Sequence, residues 1–411
     1  MPVLHGDRQH RAGAREISAT LSVDAFEPFI AEMRAFRRDF HRHPETRFAE
    51  VRTAGIVAQQ LRAWGYAVAE NVGGTGVVGT LHGERTGRSI GLRADMDALD
   101  IHEENTFEHV STLPGTMHAC GHDGHTAMLL GAAHALAERR SFAGTVHVVF
   151  QPAEEGGRGA KAMLADNFFE RFPCDEMYAM HNKPGIAYGK FGICTGPMMA
   201  ACDYWTVRFY GSGGHGGSAP HLATDATIPA AQFILTLQTI VGRNVPAAEA
   251  AVISVGHLVG GTFTSPNVMP PEVLVRGTAR WYAAAVGTTI ARRMHETAQL
   301  LAAAHGCTAE VVYENQVPPM VNHAAGAAIA AGTAAALVGA ENVDTAMRPV
   351  TGGEDFAYFL RARPGALIMI GNGMRADGTF DNLHTPRYEF NDDILALGAA
   401  YFVTLVERVL A

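Results

Sequence analysis

The 411-residue chain has no block of basic residues to offset its formal charge of −9, and no apolar run of membrane-spanning length. The first absence argues against nucleic acid or an anionic membrane surface as a partner. The second leaves no candidate for a transmembrane helix. Its opening residues, MPVLHGDRQHRAGAREISAT, lack the apolar core of a secretory signal and read as a flexible leader. Cysteine is scarce. The five present, at 120, 174, 194, 202 and 307, are scattered and odd in number, which suggests a reducing, cytoplasmic setting rather than a disulfide framework. Repeats and low-complexity linkers are absent as well. What remains, 47% hydrophobic and 18% charged, is an ordinary globular composition, and the length makes two domains the natural expectation.

Helical periodicity marks DAFEPFIAEMRAFRRDFHRHPE, stopped by Pro44, and AEVRTAGIVAQQLRAWG, ending on Gly65. Strands and helices then alternate. GVVGTLHG, SIGLRAD, GTVHVVFQP and EMYAMHN read as strands, and HTAMLLGAAHALAERR and GAKAMLADNFF as helices, which predicts an α/β sheet with helices on both faces. From about 198 to 315 the rhythm changes to β-α-β-β-α-β, a ferredoxin-like order that closes on itself as an inserted domain. There Trp205, Val207 and Phe209 alternate with Thr206 and Arg208, as on a half-buried strand. The first fold then resumes with AAGAAIAAGTAAALVG, ALIMIGNG and a last helix. The expected division is a split α/β domain, 1–197 and 316–411, around the insertion 198–315.

The most unusual stretch is GTMHACGHDGHTAML, where His118, Cys120, His122, Asp123 and His125 crowd together among glycines. A solvated His-rich loop and an internal His tag are the competing plain readings. Cys120 and His122, two apart, can aim at one point, and thiolate with imidazole suits zinc and its first-row neighbours. That spacing alone is weak evidence. Open α/β sheets, however, bind ligands beyond the carboxyl ends of their strands. There lie Asp95 and Asp97 after SIGLR, Glu154 and Glu155 after TVHVVFQP, and His181 after EMYAM. Each has its own bland role, such as capping the next helix, but their coincidence at one edge is hard to explain that way. His384, in DNLHTPRYEFND, lies far downstream. Cys120, His122, Glu155, His181 and His384 exceed the needs of one tetrahedral ion, so a pair of divalent ions sharing a ligand fits better. Such a pair clamps a water, lowers its pKa and polarises a carbonyl. Neighbours in an extended loop point apart, so Glu155 can ligate while Glu154 serves as general base. Asp97 is the candidate to take the second ring proton of a ligating histidine.

The motifs HRHPE, GLRADMDAL, MHACGHDGHTAMLLGAA, FQPAEEG, MHNKPG, GGHGGSAPH, TGGEDFAYF and LHTPRYEFND together resemble the amidohydrolase branch of the M20 metallopeptidases. The resemblance runs in order from about residue 33 to the end. It implies a dinuclear zinc, manganese or cobalt site with those five ligands, Cys120 bridging, and Glu154 as acid and base. It implies that 198–315 is a lid and dimerisation domain whose His215 binds the oxyanion in the partner subunit's site. Asn267, Arg280 and Gly353 match substrate-binding positions, an arginine suiting the free carboxylate of an acyl amino acid. The reaction implied is hydrolysis of N-acyl amino acids, of hippurate or N-acetyl type, by a homodimer. His118, Asp123 and His125 match the motif without ligating and would support the loop or cap the helix. One departure stands out: Asp100 occupies the place where the branch often carries proline, near the acyl pocket. A dipeptidase, a carboxypeptidase or a deacetylase of one biosynthetic intermediate is the runner-up. A metal-dependent binding protein without catalysis is a third reading, disfavoured because a binder would not need Glu154.

Overall fold

The computed structural model describes residues 22–411, so the expected leader lies outside the described residues. Four apolar strands, Ala143–Gln151, Arg85–Asp95, Glu176–Pro184 and Gly365–Gly373, lie side by side at the centre of an eight-stranded mixed sheet. They are mutually parallel. Their burial is nearly continuous, at odd and even positions alike, as expected when both faces of a sheet are covered. The helices Glu27–Arg42, His122–Arg139 and Leu395–Val409 pack on one another, and Ala324–Val338 packs on the Gly365–Gly373 strand. Because the four strands run one way, their carboxyl ends share one edge. No helix among the described residues is long and apolar enough to cross a membrane.

Three details depart from the sequence reading. GAKAMLADNFF forms two helices, Gly159–Ala165 and Phe168–Arg171, because Asn167 between them turns left-handed at φ 55°. Ala67–Val72, whose Glu70 and Asn71 hide its pattern, is an edge strand paired with Gly76–His82. The pair Phe191–Gly192 and Val343–Asp344 is too short to carry a period.

A second sheet holds the antiparallel strands Ala251–Gly260, Glu272–Trp281, Ala201–Tyr210 and Thr308–Val317, in that spatial order. With helices Thr227–Asn244 and Ala284–Ala304 it has the chain order β-α-β-β-α-β and its own hydrophobic core. Trp205, Val207 and Phe209 face that core with Phe233, Leu237, Ile290 and Met294. Cys202, Tyr204 and Thr206 alternate to the other face, level with Arg280, Thr278 and Arg276 on the next strand. Two short segments, Gly196–Met199 and Met320–Asn322, pair where the chain passes between the sheets. Beside them the Tyr358 hydroxyl donates to the Gln316 carbonyl at 2.7 Å.

Asp203 anchors this end of the second sheet. Buried, it accepts from the Trp281 indole, from the Tyr313 hydroxyl at 2.8 Å and from the Asn315 amide at 2.9 Å. Asp203→Ala would strand those donors and should cost on the order of 3 kcal/mol. The loss should appear as a lower urea midpoint by tryptophan fluorescence; an unchanged midpoint would show that the donors find other partners.

Candidate metal centre

Three left-handed residues aim the side chains at the sheet edge. Gly121, at φ 92°, separates Cys120 from His122, and a Cβ there would lie 2.6 Å from both Asn182 Oδ1 and Tyr388 Oη. Only glycine fits. Ala153 (φ 52°) precedes Glu154, and its N–H is held by the buried Glu50 carboxylate at 2.9 Å. His384 itself sits at φ 61°, its N–H donating to the Ala119 carbonyl at 2.8 Å. Strained non-glycine positions of this kind persist where the surroundings enforce them, and they cluster at functional sites.

The sequence-predicted residues meet at this edge. Cys120, His122 and His181 place one donor atom each within 4.8 Å of one another, as do Cys120, Glu155 and His384, and His122, Glu154 and Glu155. Cys120 belongs to two of these groups. Its Sγ lies 3.5 Å from His181 Nε2, while the other ring nitrogen of His181 donates to the Asn182 carbonyl at 2.6 Å. His384 Nε2 is 3.3 Å from Glu155 Oε1, and its ring is half-exposed.

Asp97 is the organiser of the loop. One oxygen takes His122 Nδ1 at 3.2 Å and the Glu154 N–H at 3.0 Å; the other takes the Glu155 N–H at 3.0 Å. Two buried donor atoms, His122 Nε2 and Glu155 Oε1, are left without hydrogen-bond partners. Buried polar atoms without partners are rare and call for an unseen ligand or ion. Thiol, imidazole and carboxylate are the donor types that suit a first-row divalent ion, so the residues fit one.

The electrostatics agree. Burial and the nearby Glu155, Glu154 and Asp95 push the Cys120 thiol well up. Burial opposes charge on His122, yet Asp95, Asp97 and Glu155 outweigh it and raise its pKa to about 10. Burial, with Glu354, Glu155 and Asp355 close by, likewise drives the Glu154 carboxyl well up. Burial, with His125 and His122 close by, holds His181 well down. The shifts of Cys120, His122 and Glu154 share one cause, carboxylates crowded together in a buried place.

Sequence reasoning missed what lies beneath. Arg93, fully buried, reaches Asp95 at 2.7 Å, Glu354 at 3.0 Å and Asp355 at 3.3 Å, and donates to Gln151 at 2.8 Å. The available signal was a lone arginine inside the apolar strand SIGLRAD, since buried charge requires partners. His125 bonds Asp95 at 2.6 Å and Asn182 at 2.8 Å, so it supports the strand ends rather than the loop. The expected helix cap needs correction too. No side chain caps His122–Arg139, whose N-cap is Gly121. Asp123 instead takes Arg37 at 3.1 Å and His41 at 2.8 Å in a buried cluster that also involves Glu103. His41, through Asp123, thus belongs to the support of the loop.

A cleft of about 560 Å³ opens beside Glu154, Glu155 and His384, with Gly353 on its wall and Cys202 and Tyr204 of the second sheet opposite. His215, Asn267 and Arg280 do not line it. His215 is exposed on the Gly214–His215 strand, paired with Val268–Met269. Arg280 stands level with Cys202 and hydrogen-bonds Thr278 and the Ala279 carbonyl.

A mixed α/β sheet whose carboxyl edge gathers thiol, imidazole and carboxylate donors around a second glutamate defines a metallohydrolase. The chain belongs to peptidase family M20/M25/M40, whose model matches residues 91–408. It is 36% identical over 382 residues to the hippurate hydrolase of Campylobacter jejuni, covering 92% of this chain and 97% of that protein. It is 38% identical over 368 residues to the N-acetyl-L-cysteine deacetylase of Bacillus subtilis, covering 89% and 85%. A dinuclear metal-binding peptidase of the M20 family from Bacillus subtilis has the same fold, with a TM-score of 0.81, 30% identity and coverage of 93% and 99%. The protein is therefore an enzyme that acts on amide bonds.

Cys120→Ala should lose most of the metal found in the purified wild-type protein, measured by elemental analysis. Chelation should lower the melting temperature of the wild type and barely move that of the variant, because a ligand bound only to the folded state stabilises it. Full metal occupancy in the variant would contradict the site.

Proposed function

We propose that the enzyme hydrolyses N-acyl amino acids, of hippurate or N-acetyl type, to a carboxylic acid and a free amino acid. The observation that carries this reading is the division between Glu154 and Glu155. Glu155 has a buried oxygen without a partner, 3.3 Å from His384. Both line the cleft, but Glu154 turns toward the distant Asp355, one of its oxygens accepting the Asp355 N–H at 3.4 Å. The two sit on a single 3-10 turn, Glu154–Gly156, rather than in the extended loop expected. We assign Cys120, His122, Glu155, His181 and His384 to two divalent ions, zinc, manganese or cobalt, with Cys120 shared. Ions held there supply Lewis acidity toward a carbonyl oxygen and toward a water. Glu154 takes the proton of the attacking water and delivers it to the amide nitrogen as the C–N bond breaks. Burial beside Glu354 and Asp355 supports that shuttle by raising the affinity of Glu154 for the proton. Asp97 fixes both the His122 ring and the Glu154–Glu155 backbone.

His215 is assigned to the oxyanion. Its Nδ1 accepts the N–H groups of Gly217 and Ser218, each at 3.2 Å, so the proton belongs on Nε2, where it can be donated. Its absence from the cleft of its own chain supports service in a partner's site. We read 198–315 as lid and dimerisation domain, with Asn267, Arg280 and Gly353 holding substrate. Exposed Leu235, Leu258 and Phe263 on that segment support pairing of two copies. Free cysteines throughout support a cytoplasmic setting.

Glu154→Gln should keep its metals and lose about 10²-fold or more in kcat on an N-acyl amino acid. Glu155→Gln should lose metal instead; equal metal loss in both would refute the division of labour. Subunit complementation tests the shared site. Glu154→Ala and His215→Ala homodimers should each be nearly inactive, and exchange of their subunits should restore one intact site per heterodimer. Exchange demonstrated by tagged pull-down without recovered activity would rule out a partner role for His215.

A further inference from the structure

The cleft has more guanidinium groups on its wall than one α-carboxylate requires. Arg47, Arg158 and Arg276 all line it, and Glu314 is the one carboxylate there besides Glu154 and Glu155. Among the described residues, Arg158 has no carboxylate partner, and Arg276 gives only its Nε–H, to Thr206 at 3.2 Å. Arg47 pairs with Asp100 at 2.7 Å through a single nitrogen, and both side chains are exposed. A guanidinium has five N–H donors in a fixed fork. Asp100 can therefore hold Arg47 in place while leaving donors free, and an exposed pair of this kind contributes little that a second carboxylate must displace. Asp100 is also the residue that stands where related motifs carry proline.

The stems of two of these arginines flank one residue. A Cβ built on Gly156 would lie 3.3 Å from Arg47 Cδ and 3.9 Å from Arg158 Cδ. Both stems therefore pass the residue next to Glu155, Arg47 from the turn that follows the helix Glu27–Arg42 and Arg158 from the turn that follows Glu155. With Arg280 and Asn267 assigned to the α-carboxylate, Arg158 has no anion to serve and Arg47 has only the exposed Asp100.

We propose that the cleft selects N-acyl amino acids bearing a second carboxylate, which Arg47 and Arg158 bind, with Asp100 positioning Arg47. This rests on the reading of the enzyme as an N-acyl amino acid hydrolase. The second carboxylate can belong to an acidic amino-acid side chain or to a dicarboxylic acyl group, since the guanidinium chemistry is the same.

The test is a set of matched substrates. N-acetyl-L-glutamate against N-acetyl-L-glutamine varies the side chain; N-succinyl-L-leucine against its succinamoyl counterpart varies the acyl group. In at least one pair the acid should be favoured in kcat/KM by about tenfold or more, because a charge-assisted contact replaces a neutral one. The favoured pair identifies the source of the anion. Arg158→Gln and Arg47→Gln should each reduce that ratio, chiefly through a higher KM for the acid, and the double variant should bring it near one. Asp100→Asn should reduce it less. Arg243→Gln, on an exposed helix end away from the cleft, should leave it unchanged. A ratio near one in both pairs for the wild type overturns the proposal while leaving the hydrolase reading intact, as does a ratio that the double variant does not alter. Failure to cleave any of the four substrates and hippurate as well overturns the hydrolase reading itself.

Discussion

Arg93 is the charge on which the rest of the site depends. A buried guanidinium touching Asp95, Glu354 and Asp355 lets three carboxyl groups sit inside the protein: it holds Asp95 well below the usual carboxylate range, while burial keeps Glu354 and Asp355 above it. Those carboxylates come from opposite ends of the chain. Asp95 ends a central strand and orients His125, while Glu354 and Asp355 belong to a distant turn that closes under Glu154. One side chain thereby fixes the relative position of the strand that leads to Asp97 and the turn that backs Glu154. Its network is satisfied on every side, including the Gln151 amide oxygen, which is the condition under which buried polar groups rigidify rather than destabilise.

Above that layer, backbone conformation does the aiming. Gly121, Ala153 and His384 are each left-handed, and each sits at or beside a residue that points into the centre. Hydrogen bonds from the Ala153 N–H to the Glu50 carboxylate and from the His384 N–H to the Ala119 carbonyl hold the two non-glycine cases in place. Among the candidate ligands, His122 Nε2 and Glu155 Oε1 are buried without hydrogen-bond partners, as atoms able to take a cation would be.

The second sheet meets this centre through a single face. Alternation along Ala201–Tyr210 turns Trp205, Val207 and Phe209 to the helices, which leaves Cys202 and Tyr204 for the cleft. Asp203, between them, faces inward, and its bonds to Trp281, Tyr313 and Asn315 fix the end of the sheet nearest the catalytic edge. The chemistry of the cleft wall is thus set by the same two-residue period that builds the core behind it.

Much of this was legible in the residues. Alternating strand and helix runs gave the α/β sheet, and the rule that ligands gather at the carboxyl ends of strands picked out Asp95, Asp97, Glu154, Glu155 and His181 without coordinates. Local pattern failed where the cause was not local. Asn167 breaks a helix by one dihedral angle, and Asp123 leaves the helix cap for Arg37 and His41, over eighty residues away in the chain. Arg93 gave only a faint signal, because an arginine in a strand says nothing of which carboxylates will surround it. The sequence by itself determined the donor types and their places at strand ends, since both follow from side-chain chemistry and short-range periodicity. Tertiary structure alone decided which donors face each other, which are left without partners and which arginines stand over Gly156, because those depend on packing between segments that the chain keeps far apart.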